Sequence, residues 1–322
     1  MARPAAPHLV FVLLAIAMLA QVRRFVGLAP DVELWSLLVG LVCGLAALAL
    51  VHHAAVQLCE RSPAWLVAGA WLAACSPFAL WALGGLEEPL YALALVTLPL
   101  ALHRGVPVLA AAAALALAAC RPEGSLLVAL VLAHGIHLAY RDGQRPPWLT
   151  RFALVATPAV MALQAVRFMV LGAHLPALHA PELASVAGYF YGALVTYLPV
   201  PVLVLGAAAI SFRGSEGPLF TLPPLLVAGQ LFAVAVAGGD ARPLYRLLVP
   251  LAPLAFLLAA AGLETVLGLI GPFLSRLDRA AALAGIVLCA LKLAAVPADQ
   301  LIALEQARSV AALETAVRRR VP

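Results

Sequence analysis

The stretch LWSLLVGLVCGLAALALVHHAAVQL, residues 34–58, contains no acidic side chain, no lysine and no arginine. A helix needs about 20 mostly apolar residues to cross a bilayer, and this stretch is long enough. Other long apolar runs lie near 64–83, 149–172, 188–211, 219–238 and 246–271, and shorter ones lie at 89–102, 105–119, 124–140 and 280–297. The sequence therefore predicts an all-α fold, a polytopic transmembrane helical bundle of about ten spans.

The composition indicates the same class of protein. Of the 322 residues, 65% are hydrophobic and only 11% are charged, and the mean hydropathy is +1.04. A soluble domain carries roughly 25% charged residues. The formal net charge of +5 is expected to orient the chain in the bilayer, and no nucleic-acid partner is predicted. Lys292 is the only lysine, a bias that indicates a GC-rich bacterial gene and hence a multi-pass protein of the bacterial inner (cytoplasmic) membrane.

The loops between the runs are too short to form a second domain. We expect one transmembrane domain over residues 1–297 and a short amphipathic tail over 298–322. The first run, 9–22, has the length of a signal-peptide core, a short span or an interfacial helix, and we favour the last two for residues 1–30. The five cysteines lack metal-ligand spacing and are predicted to be buried as small residues: Cys43, Cys59, Cys75, Cys120 and Cys289.

Alternate loops must lie on opposite sides of a bilayer, and this parity sorts them into two sets. One set consists of short, basic connections, which the positive-inside rule assigns to the cytoplasm. Its arginines are Arg61, Arg104, Arg141, Arg145, Arg213, Arg276 and Arg279. The other set gathers most of the remaining ionisable groups of the loops at the outer face: Glu87, Glu88, Arg121, Glu123, His174, His179, Glu182, Asp240, Arg242, Tyr245 and Arg246.

The outer motifs have two readings. In GGLEEP and CRPEG, a proline can open a helix whose first turn holds acids, and such acids are common because they complement the helix dipole. The functional interpretation is that the acids and arginines at the outer face form a binding or catalytic site. Arginine presents a planar fork to phosphate oxygens, and a carboxylate can remove a proton from a hydroxyl group. Such a cluster would suit a lipid-linked phosphosugar.

Three motifs give the chain a family resemblance. They are GLEEPLYA (85–92), RPEG (121–124) and GGDARPLYRLLVPLAPL (238–254), and VRFMVLGAHLPALH (166–179) is a fainter fourth. In this order they resemble motifs of the GT-C superfamily of integral-membrane glycosyltransferases, especially its mannosyl- and arabinofuranosyltransferase-like branch. The resemblance covers roughly residues 30 to 270. It implies a GT-C-like bundle that uses a polyprenyl-phosphate-linked sugar as donor.

The resemblance implies roles for Glu87, Arg121, Glu123, Asp240, Tyr245 and Arg246, and the other candidates are chosen because their loops lie on the same face. We assign Glu87, Glu88 and Asp240 as candidate catalytic acids, and Arg121, Arg242 and Arg246 as candidates for binding the donor phosphate. Four further residues are expected to line the site: Glu123, His174, His179 and Tyr245. Enzymes of this family often use a divalent cation, but no residue pattern here identifies a particular metal.

Two features depart from the family pattern. The acidic DDAYISFRYA-like motif, which usually supplies the catalytic base, is missing, so we expect a misplaced start, a fragment or a loss of activity. Glu88 stands where the family has threonine. The preferred function is sugar transfer to a cell-envelope glycan, lipid or protein at the outer face of the membrane. The alternatives are a transporter or lipid-carrier flippase, and a non-catalytic membrane subunit.

Overall fold

The apolar runs form helices because a helix satisfies its backbone hydrogen bonds internally, as a lipid environment requires. A computed structural model describes residues 15, 34–59, 64–84, 87–171, 186–191, 217–237 and 246–270. Within these ranges the longer helices are α1 (Leu34–Leu58), α2 (Trp65–Ala74), α3 (Ser76–Gly84), α4 (Glu87–His103), α5 (Pro107–Cys120), α6 (Pro122–Asp142), α7 (Pro147–Leu171), α8 (Pro218–Val236) and α9 (Ala252–Ile270). A 3₁₀ turn, Val249–Leu251, precedes α9, and the described residues contain no strand.

The all-α prediction is confirmed for this part of the chain, and most predicted runs coincide with helices to within a few residues. The run predicted at 64–83 is different, because it is divided at Cys75 into two helices bent by 60°. Pro77 has no backbone N–H and its ring would clash with the carbonyl group four residues earlier, so an unbroken helix through this point is disfavoured. The runs at 188–211 and 280–297, the first 30 residues and the tail 298–322 lie largely or wholly outside the described residues.

Among the helices that the structure describes, four are long and apolar enough to cross a membrane, namely α1, α6, α7 and α8, and the bent α2–α3 pair makes a fifth candidate. Large apolar side chains on α7 face outward, among them Leu154, Met161 and Phe168. Such surface is stable against lipid tails and unfavourable in water. The chain is therefore a multi-pass membrane protein in a bilayer environment, whereas the count of ten spans stays a prediction.

Helix α4 occupies the centre of the described bundle. It packs against α1, α5, α8 and α9, and its side chains Tyr91, Leu95 and Leu98 are completely buried. Gly40 of α1 allows a close approach to the backbone of α3, because a Cβ there would clash with the carbonyl oxygen of Ala82. The small-residue spacing of GLVCG (40–44) thus lies at a helix contact, as is common for such spacing in membrane proteins. Of the cysteines within the described residues, Cys43, Cys59 and Cys75 are buried and Cys120 is half-buried.

The bundle has two chemically different ends. We call the end that contains Glu87, Glu88 and Glu123 the acidic end. Arg121 and Arg246 meet the first two of these acids at the start of α4. The opposite end contains His103, Arg104, Arg145 and Arg151, all exposed, and we call it the basic end. Short turns join α4 to α5 and α6 to α7 there, so each of these pairs is antiparallel.

Candidate functional site

The two adjacent glutamates begin helix α4. Glu87 and Glu88 both lie in its first turn. Helix α4 therefore starts two residues before Pro89, the residue expected to open it. Acids in a first turn complement the positive end of the helix dipole, so the capping interpretation is compatible with the structure. The side chains, however, bond to arginines from distant parts of the chain, which capping alone does not require.

Arg121 connects both glutamates. It has an extended backbone between the end of α5 and Pro122, the first residue of α6. Its Nε donates to Oε1 of Glu87 at 2.8 Å, and one Nη donates to Oε1 of Glu88 at 3.4 Å. The Arg121 side chain is only 3% exposed, so its charge has left water and depends on these carboxylates.

Arg246 approaches the same two carboxylates from the other side. Its Nε donates to Oε1 of Glu88, and one Nη donates to Oε2 of Glu87 at 3.2 Å. Glu88 is 3% exposed, whereas Glu87 is 40% exposed and lies at the mouth of the cluster. Each glutamate therefore bridges both arginines, but only Glu87 is open to solvent.

The formal charges of these four groups cancel. Two carboxylates face two guanidinium groups, and each buried charge has a partner of opposite sign. Glu123 adds a further negative charge at the edge of the cluster, with a carboxylate oxygen 3.8 Å from Arg121. We call Glu87, Glu88, Arg121 and Arg246 the four-charge cluster. Its balance explains how ionised groups are tolerated at the end of an apolar bundle.

Aromatic rings flank the four-charge cluster. The guanidinium carbon of Arg121 lies 5.3 Å from the centre of the Tyr91 ring, and that of Arg246 lies 5.4 Å from the centre of the Trp81 ring. Both distances are within cation–π range. The Tyr91 hydroxyl group donates a hydrogen bond to Oε1 of Gln230 at 2.7 Å. The site therefore extends from α3 through α4 to α8.

Sequence reasoning did not assign Trp81, Tyr91 or Gln230 to the site. Gln230 gave a usable signal, since it is a single amide in the apolar run LLVAGQLFAVAV, and a polar side chain within a span is costly unless it has a partner. Tyr91 lies within the GLEEPLYA motif (85–92), which could have pointed to it. Trp81 gave no comparable signal, because an aromatic residue in an apolar run is usually a core residue.

Several buried hydrogen-bond donors around the cluster have no acceptor among the described residues. They are one Nη of Arg121, Nε2 of Gln230 and Nε1 of Trp81. A buried polar atom without a partner is unfavourable by about 1–3 kcal/mol, so such atoms in one region need an explanation. All three are donors, and a ligand that satisfied them would supply oxygen acceptors.

Tight backbone packing fixes the position of Arg121. A Cβ at Gly124 would clash with the backbone of Leu117, so the first turn of α6 lies directly against the last turn of α5. Arg167 of α7 donates to the carbonyl oxygens of Ala118, at 2.6 Å, and Ala119. A cation that binds these carbonyls stabilises the end of α5. The conformation of the RPEG segment is thus determined by three helices.

The three main motifs meet, at least in the residues that are described. GLEEPLYA contributes Glu87 and Glu88, RPEG contributes Arg121 and Glu123, and the third motif contributes Arg246. The other candidate residues lie outside the described residues: His174, His179, Asp240, Arg242 and Tyr245.

The structure also bears on how Arg246 is paired. Among the described residues, Arg246 pairs with the two glutamates. A pairing of Arg246 with Asp240 would be an alternative, but Asp240 lies outside the described residues. Within the described ranges, no group of three or more His, Cys, Asp or Glu side chains has the geometry of a metal site.

Comparison with known proteins gives no family name. No protein-family model, no curated protein and no solved structure matches the chain.

Proposed function

We propose that this protein is a membrane glycosyltransferase of the GT-C type. It would transfer a sugar from a polyprenyl-phosphate donor to a cell-envelope glycan, lipid or protein. The basic end would face the cytoplasm and the acidic end the outer side, since arginine-rich connections are retained on the cytoplasmic side. A bundle of about ten spans belongs to the same proposal.

The observation that carries this proposal is the four-charge cluster itself. Its arginines come from two motifs that are far apart in sequence and meet two carboxylates from a third. Arginine pairs that converge in a desolvated site are suited to phosphate oxygens, because a guanidinium group can donate two parallel hydrogen bonds. The unsatisfied donors nearby favour the same oxygen-rich type of ligand.

The two glutamates differ in their suitability as a base. Glu88 is almost completely buried and hydrogen-bonded to both arginines, so a substrate hydroxyl group has little access to it. Glu87 is 40% exposed and can reach solvent or a bound acceptor. We therefore assign Glu87 as the base and Glu88 as the group that holds the arginines in position.

The proposed reaction conserves charge within the site. The Glu87 carboxylate removes the proton of the acceptor hydroxyl, and the hydroxyl oxygen attacks the anomeric carbon of the sugar. The bond from that carbon to the phosphate oxygen breaks, and the phosphate leaves with the electron pair. The phosphate gains one negative charge while Glu87 becomes neutral. Protonation of Glu87 weakens its hold on Arg121 and Arg246, which can then stabilise the leaving phosphate.

The runner-up function is a transporter or lipid-carrier flippase. A substrate path would place ionisable groups along the length of the bundle. Arg167 lies at the acidic end, where it binds the carbonyl oxygens of Ala118 and Ala119 beside Arg121. Glu264, well along α9 and away from this end, is buried. This distribution favours a site at one end over a path through the protein.

The test is sugar transfer by the full chain in proteoliposomes. Polyprenyl-phosphate hexoses and pentoses are supplied with envelope lipids, and mass spectrometry detects the glycosylated product and the released polyprenyl phosphate. Glu87→Gln should reduce the rate by about 10²- to 10⁴-fold, as expected for loss of a general base. Asp142→Asn, at the basic end and paired with Arg141, is the matched control and should leave the rate unchanged.

Two results would contradict the proposal. Movement of the intact donor across the bilayer without a new glycosidic bond would support the transporter alternative. Equal rates for Glu87→Gln and the unchanged protein would remove Glu87 as the base.

A further inference from the structure

A cavity lies at the basic end, at the opposite end of the described bundle from the four-charge cluster. It has a volume of about 330 Å³ and is bordered by the turn that joins α4 to α5, the start of α7 and the start of α8. This volume is at the lower end of the range of small-ligand pockets. The cavity is therefore large enough for a small polar group, and the chemistry of its lining decides which one.

The ionisable side chains of this lining are basic or neutral. Arg151 and His103 contribute to the wall, and no acidic residue does so among the described residues. Among the described residues, no carboxylate pairs with Arg151. Asp142, the last residue of α6, pairs instead with its neighbour Arg141 at 2.6 Å. Arg151 thus brings a positive charge to the cavity that the described residues do not neutralise.

The backbone adds to this positive potential. Helices α5, α7 and α8 begin at Pro107, Pro147 and Pro218, and all three prolines line the cavity. Each helix start carries a partial positive charge, and three of them directed at one cavity reinforce the arginine. The Trp148 side chain supplies a buried apolar wall beside these polar groups. Tryptophan is common at the membrane–water interface, where a headgroup would lie.

We propose that this cavity binds a phosphate group, with Arg151 as its principal ligand and His103 as a second donor. An oxyanion suits an arginine fork that stands beside three helix starts. The group is carried either by an anionic phospholipid of the adjacent leaflet or by free phosphate in solution. This site is independent of the proposed glycosyltransferase activity, since it shares no residue with the four-charge cluster.

The experiment has two arms that distinguish the two sources, both with the full chain. In the first, nanodiscs contain phosphatidylcholine with or without phosphatidylglycerol, and native mass spectrometry counts the lipids that the released protein retains. In the second, inorganic phosphate is titrated against the detergent-solubilised protein, and saturable protection from thermal unfolding gives an affinity. We expect selective retention of phosphatidylglycerol, saturable protection by phosphate, or both.

Arg151→Gln should weaken the observed binding by about tenfold or more, the effect of losing one charge-assisted hydrogen-bonding group. Arg151→Lys keeps the charge, should recover part of the affinity, and controls for a folding defect. Arg145→Gln is the matched control, because Arg145 is an exposed arginine at the same end that does not line the cavity. It should retain full binding.

The outcomes separate a defined site from general surface charge. Retention of phosphatidylglycerol that is lost in Arg151→Gln and kept in Arg145→Gln identifies a lipid headgroup. Protection by phosphate with the same pattern identifies free phosphate. Equal losses in Arg151→Gln and Arg145→Gln would overturn the proposal, as would an absence of both selective retention and saturable protection in the unchanged protein.

Discussion

Arg246 donates a hydrogen bond to Glu88, although 158 positions of sequence separate the two residues. The contact joins the start of α4 to the turn before α9, and Arg121 adds the α5–α6 junction to the same carboxylate. Glu88 therefore holds together three segments that converge at one end of the bundle. Glu88 is also the more buried of the two carboxylates of the four-charge cluster.

Replacing Glu88 should destabilise the protein more than replacing Glu123. Glu88→Gln removes the charge that faces both arginines in a desolvated position, and breaking a buried ion pair from one side costs about 3–5 kcal/mol. Glu123 is 21% exposed and 3.8 Å from Arg121, so Glu123→Gln should cost less than about 1 kcal/mol. Thermal unfolding in detergent compares the two. Similar shifts in the melting temperature would show that the buried Glu88 contributes no more to stability than the partly exposed Glu123.

Arg246 and Glu88 should be energetically coupled. Arg246→Gln and Glu88→Gln each leave a charge with fewer partners, whereas the double variant removes one charge of each sign. We expect the double variant to be less destabilised than the sum of the single effects, with a coupling of about 1–3 kcal/mol. The matched cycle pairs Arg246→Gln with Asp142→Asn, whose site is at the other end, and should be additive. Additivity in both cycles would contradict a direct interaction.

Gly124 should be intolerant of a side chain. Gly124→Ala places a methyl group against the backbone of Leu117, and relieving such a clash costs about 1–3 kcal/mol. Because the affected turn follows Arg121, the variant should also perturb the arginine contacts. Gly188→Ala, in the short helical segment 186–191, is the control, since a Cβ there would meet none of the described residues within 4 Å. Alanine there should be neutral or slightly stabilising in a helix. Unfolding temperatures in one detergent decide between these expectations.

Much of the fold could be predicted because each span is a local property of the sequence. The run at 34–58 coincides with α1, and Pro122 opens α6 as the CRPEG motif predicts. The bend at Cys75 could not be predicted as well, because a proline in an apolar run indicates a disturbed helix but does not give the bend angle. For the described residues, the local sequence therefore predicted where the helices lie better than how they bend.

The pairing within the site could be predicted only in part. Parity placed Glu87, Arg121 and Arg246 on one side of the bilayer, and these residues meet. Parity cannot tell which carboxylate faces which guanidinium, because that depends on how α4, α5 and α9 pack. The Tyr91–Gln230 hydrogen bond is also a consequence of packing between α4 and α8. A single sequence contains no direct record of such contacts.

The acidic and basic ends should be accessible from opposite sides of the membrane. Ala119, exposed at the end of α5, and Arg145, exposed between α6 and α7, lie at opposite ends of α6. In a Cys120→Ser background, Ala119→Cys should react with a membrane-impermeant maleimide added to intact cells. Arg145→Cys should react only after the cells are permeabilised, because the positive-inside rule assigns the basic end to the cytoplasm. The background protein without an added cysteine corrects for reaction of the remaining thiols.

The reverse pattern would contradict an outward-facing acidic end and with it transfer at the outer face. Labelling of both positions from the same side would contradict α6 as a membrane-spanning helix.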